Sequence, residues 1–257
     1  MTNEPTKARV AFVRSLRDKR CRDESGLFVA EGAKLVGDLL AGGMEAEAVY
    51  VTGDASFAVP VERVSPAVMA RMSHLKSPSQ VLAVMRKREA EPYDAAWRDG
   101  LVLVLDGVQD PGNLGTIIRA ADWFGIEHII CSPSTADLYN AKTVQATMGS
   151  LCRVSVRYAP LEPLIERAAG DGVPVYGTFL DGDDIYTAGL SDNGLIIMGN
   201  EGNGISGPVA AKVTHRLLIP SYPEGRPTGE SLNVGVAAAV VCSVFRGRGK
   251  TAGGDLL

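Results

Sequence analysis

The feature that most constrains this chain is the continuous apolar run 101–105, LVLVL, followed at once by a polar loop and then a helical period. A run without alternation reads as a strand buried on both faces, which is how strands of a parallel sheet are placed. Asp106-Gly107 ends it, and Asp110-Pro111-Gly112 forces a turn, because proline fixes φ and glycine permits positive φ. Asn113 stands where a helix N-cap is expected. Beyond it Leu114, Ile117, Ile118 and Ala121 recur at the spacing of one buried helix face. Strand, polar loop and helix in this order put Asn113 and Arg119 at the end of a parallel sheet where ligands bind. A plain structural reading remains open at this point, with Asn113 only capping and Arg119 only pairing with Asp122.

The same alternation continues. Strands are expected at 128–131, 173–179, 195–198 and 216–219, and helices at 114–124, 141–148, 161–169, 209–213 and 231–245. Strands alternating with helices predict a mostly parallel α/β sheet. Upstream, a basic helix over the first 26 residues, strands at 27–30, 48–52 and 81–85, and helices at 31–40 and 65–72 describe a smaller α/β domain. The expected division is 1–90 for that domain, 91–100 for a polar linker, 101–248 for the large domain and 249–257 for a tail. At 257 residues and 46% apolar composition the chain can build both cores.

Several classes are excluded. No apolar run approaches the roughly 20 residues of a membrane helix, and the start lacks a signal-peptide core, so a cytoplasmic protein is expected. Cys21, Cys131, Cys152 and Cys242 are scattered and only three histidines occur, so neither a metal site nor a disulfide framework is expected. The net charge of −4 hides an asymmetry. Residues 1–90 hold 14 Lys and Arg against 11 Asp and Glu; the remainder holds 12 against 19. Two basic clusters in the first part, which include Arg14, Arg17, Arg20, Lys76 and Arg86, are candidates for RNA phosphate binding, the alternative being solvated faces.

Two further stretches carry chemistry. LIIMGNEGNGIS, 195–206, runs a buried strand into a loop with Asn200, Glu201 and glycines at 199, 202 and 204, which let the backbone approach a ligand. Its order is not the G-x-G-x-x-G of dinucleotide sites, and no phosphate-binding GxxxxGK[ST] loop occurs. LLIPSYPEGRPTGESLNVGVAAAVV, 217–241, ends a strand at Pro220, passes through a polar loop, and opens at Ser231 a helix apolar almost all round. Such a helix is buried or lies in a subunit interface.

Together DPGNLGTIIRAADWFG, IMGNEGNGIS and IPSYPEGRPTGESLNVGVAAA resemble, in order, the three motifs of the SpoU (TrmH-like) RNA ribose 2′-O-methyltransferases of the SPOUT superfamily. FVAEGAKLVGDLL and SPSQVLAVM resemble, more loosely, the family's small N-terminal substrate-binding domain. The resemblance implies a deep trefoil knot, S-adenosylmethionine as methyl donor, and a homodimer through the last helix. It implies that Gly199, Asn200, Gly202, Ile219 and Leu232 bind the donor, and that Asn113, Arg119, Glu201, Ser231 and Asn233 form the reaction site. Ribosomal RNA is favoured over transfer RNA as substrate. A non-catalytic RNA-binding protein of the same fold is the alternative from another class. The link from Ser221 to Glu230 is longer than the family pattern.

Overall fold

The computed structural model describes residues 4–88, 96–223, 229 and 231–247. Its contacts fall into two units, Met1–Glu89 with Asp137–Arg153, and Ala90–Ala136 with Val154–Leu257.

The first unit is a four-stranded sheet in the order β1-β4-β2-β3, with β1 (Leu27–Glu31), β2 (Ala46–Val51), β3 (Glu62–Arg63) and β4 (Val81–Arg86). β4 pairs antiparallel with β1 and β2, and β3 lies parallel to β2. The expected single basic helix is two, α1 (Lys7–Ser15) and α2 (Lys19–Ser25), because Asp18 caps the second through Arg20 N. α3 (Ala33–Ala41) and α4 (Pro66–Met72) complete the unit, the latter capped by Ser65 with proline in the first turn. Val10, Val13 and Leu16 pack with Val68, Met69 and Met72 and with β-strand residues in one core. α6 (Ala141–Thr147) belongs here too and lies against β1. Its approach is held by Tyr139 against Phe28, ring centroids 4.7 Å apart, and by an ion pair from buried Arg22 to Asp137. Gly42 faces Cys152 so closely that a Cβ would come within 2.3 Å of its Sγ, so only glycine fits there.

The second unit is a six-stranded, wholly parallel sheet in the order β10-β8-β9-β5-β6-β7. Its strands are β5 (Leu101–Leu105), β6 (His128–Cys131), β7 (Ser155–Tyr158), β8 (Val175–Asp184), β9 (Gly194–Met198) and β10 (His215–Leu218). β5 and β9, at the centre, are buried along their whole length, as their unbroken apolar runs require. Helices α5 (Pro111–Trp123), α7 (Leu161–Gly170), α8 (Gly207–Ala210) and α9 (Val234–Gly247) follow their strands. From β5 the chain steps outward through β6 to β7, then reappears on the other side of β5 as β8 and β9. The loops after β5 and β9 therefore diverge at a switch in strand order, the crevice where open α/β sheets bind ligands.

Several boundaries differ from the sequence expectation, among them β8, which runs to Asp184 where 173–179 is expected, α8, which is Gly207–Ala210 where 209–213 is expected, and two helix starts at the candidate site. Asp110, and not Asn113, is the N-cap of α5: its carboxylate accepts from Asn113 N at 2.9 Å, with Pro111 in the first turn. The last helix starts at Val234, three residues after Ser231, and Asn233 Oδ1 accepts from Gly235 N at 3.0 Å and Val236 N at 3.3 Å. β7 was absent from the expected strands, since its Ser-Val-Arg-Tyr sequence buries only Val156. The tail and most of the extended link between Ser221 and Glu230 lie outside the described residues.

Candidate active site

The site is assembled at the C-terminal ends of β5 and β9, entirely within the second unit. The loop after β5 is tied to the loop after β9 by backbone and side chain. Asp106 N donates to Met198 O at 2.9 Å, and Ser206 N donates to the Asp106 carboxylate at 2.8 Å. Asn200 Nδ2 donates to Gly107 O at 2.7 Å. From the other side Gly107 N donates to buried Ser132 Oγ at 2.9 Å, just beyond β6.

The loop after β9 is a closed turn. Asn200 and Gly204 exchange two backbone hydrogen bonds of 2.9 Å, and Asn200 Oδ1 accepts from Gly202 N and Asn203 N. A Cβ on Gly199 would sit 2.2 Å from Gly204 C and 2.4 Å from Ile205 N, so the chain can close there only around glycine. Both side-chain polar atoms of Asn200 are thus engaged inside the protein, and the residue shapes the loop. Gly199, directly after β9, and Ile219, directly after β10, are half-exposed, and apolar Leu232 is exposed. Such a surface fits a ligand with a flat apolar ring and a polar tail, as S-adenosylmethionine is.

Within this frame three residues, from the first turn of α5, the loop after β9 and the residue preceding α9, form one hydrogen-bonded chain. Asn233 Nδ2 donates to Asn113 Oδ1 at 3.0 Å, and Asn113 Nδ2 donates to Glu201 Oε1 at 2.9 Å. The direction is dictated by the fold. Asn233 Oδ1 must accept the free N–H groups of α9, which leaves its NH₂ for Asn113; Asn113 must then accept with Oδ1 and donate with Nδ2. The chain can end only on an acceptor, which an ionised Glu201 supplies. Burial alone would raise the Glu201 carboxyl. Hydrogen bonds from Asn113 and from the backbone N–H groups of Glu201 itself, Gln109 and Asp110 outweigh it and hold the group below the usual carboxylate range.

The structure does not join the other two expected reaction residues to this chain. Arg119 is exposed on α5 and, among the described residues, has no hydrogen-bond or ion-pair partner. It lies one turn before Trp123, which is 84% exposed, so the two share a helix face. Ser231 is exposed just before α9. Gly202 donates into the Asn200 turn. Of the basic candidates, Arg20 pairs with Glu24 at 2.7 Å and Arg86 approaches Glu45 and Glu47 at 3.7 and 3.8 Å. Arg17 donates to Ser73 O, while Arg14 and Lys76 are exposed. Sequence reasoning missed Asp106, Asp110 and Ser132 as the residues that set the loops. An Asp-Pro step opening a helical period was the available signal for Asp110.

α9 packs on α5 through Gly235, where a Cβ would meet Thr116 at 3.1 Å, and Arg246 closes the far end by donating to Phe124 O and Gly125 O at 3.0 and 2.9 Å. The side-chain chain Asn233–Asn113 therefore sits on two helices whose spacing is fixed by their packing.

A parallel α/β sheet with a glycine-turned loop and an Asn-Asn-Glu chain at its switch point defines the class as a ligand-binding α/β fold. Comparison with known proteins makes it specific. Residues 100–243 match the model of the SpoU rRNA methylase family, and residues 7–83 match the MRM3-like substrate binding domain. The 23S rRNA (guanosine(2553)-2′-O)-methyltransferase RlmP of Bacillus subtilis is 32% identical over 91% of this chain and 94% of its own. The 23S rRNA (guanosine-2′-O-)-methyltransferase RlmB of Neisseria meningitidis is 31% identical over 57% of this chain and 58% of its own. An AdoMet-bound rRNA methyltransferase from Sinorhizobium meliloti superposes with a TM-score of 0.80 at 30% identity, covering 94% of this chain and 95% of that one. The chain belongs to the SpoU rRNA methylase family, and with it to the S-adenosylmethionine-dependent RNA ribose 2′-O-methyltransferases that its three motifs resemble.

Proposed function

We propose that this protein methylates the ribose 2′-hydroxyl of one nucleotide in 23S ribosomal RNA, in the cytoplasm and as a homodimer. The observation that carries the reading is the Asn233–Asn113–Glu201 chain, which links all three motif loops at the switch point of the sheet. The ribosomal substrate is favoured by the RlmP and RlmB relatives; transfer RNA is the alternative.

S-adenosylmethionine, when bound, supplies an already activated methyl group. In the reaction the S–CH₃ bond would break as the O–CH₃ bond formed, leaving a neutral sulfide, and the hydroxyl proton would pass to solvent. The residues therefore have to align and to stabilise negative charge on the ribose oxygen. Backbone at Gly199, Ile219 and Leu232 holds the donor. Ionised Glu201 accepts hydrogen bonds from RNA or from a cation, and Asn113 keeps it in place. Arg119 clamps a phosphate or the developing alkoxide through its planar, multi-donor guanidinium. Ser231 and Asn233 position the ribose or the donor. The reading includes the deep trefoil knot that the family resemblance implies.

The dimer reading rests on α9. Val236, Val240 and Val244 lie at four-residue spacing on its side away from the core, with Val236 51% exposed, and Trp123 of α5 is exposed as well. A second copy covering this surface would bring Arg119 to the interface. Among the described residues no helix is long and apolar enough to cross a membrane.

Labelled methyl donor incubated with the protein and with total RNA tests the reaction. Label on a 2′-oxygen of 23S RNA is expected. Label on a base or in transfer RNA overturns the substrate, and bound donor with no label in any RNA makes the protein a binder only. Sedimentation of a Val240→Asp variant tests the dimer: a wild-type protein that sediments as a monomer refutes it.

A further inference from the structure

Resting on the methyl-transfer reading above, we propose that Ser132, on the loop after β6 and outside all three motif stretches, is a positioning residue of the reaction site that acts through Gly107 and Asn200 on Glu201. The loop 132–136 grips the loop after β5 at three points. Ser132 N and Thr135 Oγ1 donate to Leu105 O at 2.9 and 3.1 Å, Gly107 N donates to Ser132 Oγ at 2.9 Å, and Ala136 N donates to Val108 O at 2.9 Å. Gly107 is also the link to the loop after β9, because its carbonyl accepts from Asn200 Nδ2 at 2.7 Å. Asn200 in turn closes the turn that carries Glu201 by accepting from Gly202 N and Asn203 N. One residue thus has its N–H fixed from the side of β6 and its C=O fixed from the side of β9.

The hydroxyl directions follow from the carbonyl. Leu105 O can only accept, so the Thr135 hydroxyl donates to it, and Thr135 Oγ1 is left to accept from Ser132, 3.1 Å away. With its proton directed at Thr135, Ser132 Oγ accepts from Gly107 N and from Ser134 Oγ, 2.9 Å away. Every hydrogen-bonding position of Ser132 is then in use. Gly107 has left the sheet, at φ +74°, so no strand neighbour takes its N–H, and Ser132 is its acceptor.

Gly107, Ser132 and Thr135 are all buried. A buried N–H without an acceptor is costly, so loss of the Ser132 hydroxyl drives the loop to shift until water reaches Gly107. The same loop carries Gln109 and Asp110, whose N–H groups lie 3.4 and 3.5 Å from the two Glu201 oxygens. These bonds are already near the limit of hydrogen-bond length, and a further displacement of about 0.5 Å breaks them. Ser132 therefore sets where the Glu201 carboxylate stands without touching it.

The test uses the full-length protein with three variants: Ser132→Ala, the hydroxyl-retaining Ser132→Thr, and Thr135→Val, which removes the oxygen that accepts from Ser132. In Ser132→Ala, kcat for methyl transfer to a 23S RNA transcript should fall about 10-fold or more, with KM for the RNA within about twofold of the wild type. Ser132→Thr should recover most of the rate, and Thr135→Val should share the loss in weaker form. A merely structural role would leave one further readout unmoved, the carbon-13 titration of the Glu201 carboxyl in protein labelled at glutamate, assigned with Glu201→Gln. Burial raises this carboxyl, but hydrogen bonds from Asn113 and from the N–H groups of Glu201 itself, Gln109 and Asp110 hold it below the usual range. In Ser132→Ala it should rise towards the ordinary value as the last two lengthen. The nearby carboxylates of Asp106 and Asp110, which accept from Ser206 N and Asn113 N, carry no label. An unshifted Glu201 titration overturns the proposal even where the rate falls, since a smaller folded fraction alone would lower the rate; so does a loss confined to KM. If Ser132→Ala does not fold, Thr135→Val carries the same test. A raised Glu201 carboxyl in a protein whose wild type methylates no RNA would support the positioning and refute the enzymatic reading instead.

Discussion

Replacing Asn113 by aspartate tests the directed hydrogen-bond chain with almost no change of shape. The introduced carboxylate can still accept from Asn233, but its second oxygen now faces Glu201 Oε1 where an N–H had donated at 2.9 Å. Two carboxylates with charge centres about 4 Å apart repel by about 1 kcal/mol in bulk water and about 4 kcal/mol at an effective dielectric of 20. Glu201 is exposed and Asn113 half-buried, which places the cost towards the lower end, at about 1–2 kcal/mol. The pair then shares a proton and holds it to higher pH than an isolated carboxyl would. In the wild type the depressed Glu201 pKa contributes stability above the unfolded value of 4.5, lost as pH falls through the folded one. In the variant the sign reverses, because the folded pair holds its proton more tightly than the unfolded chain. The difference between variant and wild type therefore grows as pH rises from about 5 to 8 and vanishes in acid. Urea denaturation at pH 5, 7 and 8 measures it directly, and methyl transfer at pH 8 should fall on the order of 10²-fold from misplacement of Glu201. Asn113→Ala removes the donor without adding charge, so its stability should stay offset from the wild type without that alkaline divergence. Parallel pH profiles for Asn113→Asp and the wild type would refute the chain as drawn.

Other perturbations address the frame. Gly199→Ala forces a Cβ into backbone at 2.2–2.6 Å, and about 1–3 kcal/mol of stability should be lost together with donor binding in calorimetry; unaltered binding would show that the turn is not the cradle. Arg246→Ala removes two charge-assisted bonds that close α5, and the melting temperature should fall by about 2–4 °C for each kcal/mol lost. His74 is depressed from 6.5 to about 4, so the unfolded chain takes the proton first and stability falls between pH 6.5 and 4 by at most about 3 kcal/mol. His74→Gln should flatten that limb of the stability profile; an unchanged limb would assign the acid sensitivity elsewhere.

The central strands could be read from the chain alone. LVLVL and LIIM have no polar positions to place in water, and only a sheet covered on both faces accepts them. The loops that follow them could be read as ligand loops from glycine, asparagine and glutamate at the strand ends. Caps were less legible. Asp110 and Asn113 are equally good caps by type, and which one serves depends on where the first turn closes, a shift of almost one helical turn. β7 was missed because an edge strand with one buried residue carries no apolar pattern. The charge clusters near the start were visible, but not which cations would find acids. Among the described residues Arg14 and Lys76 have no ion-pair partner, whereas Arg20 has its own at i+4.

By itself, then, the sequence determined the βα alternation, the buried centre of the sheet and the residue types brought to its C-terminal end, because burial and turn formation are local demands on side-chain chemistry. It did not determine that Asn113 bonds to Glu201 across 88 residues and to Asn233 across 120, nor the direction of those bonds. These follow from strand order and from the N-terminus of α9, whose free N–H groups orient Asn233 and, through Asn113, keep Glu201 ionised. Such contacts exist only when three loops distant in the chain are held at one switch point, and only tertiary packing can hold them there.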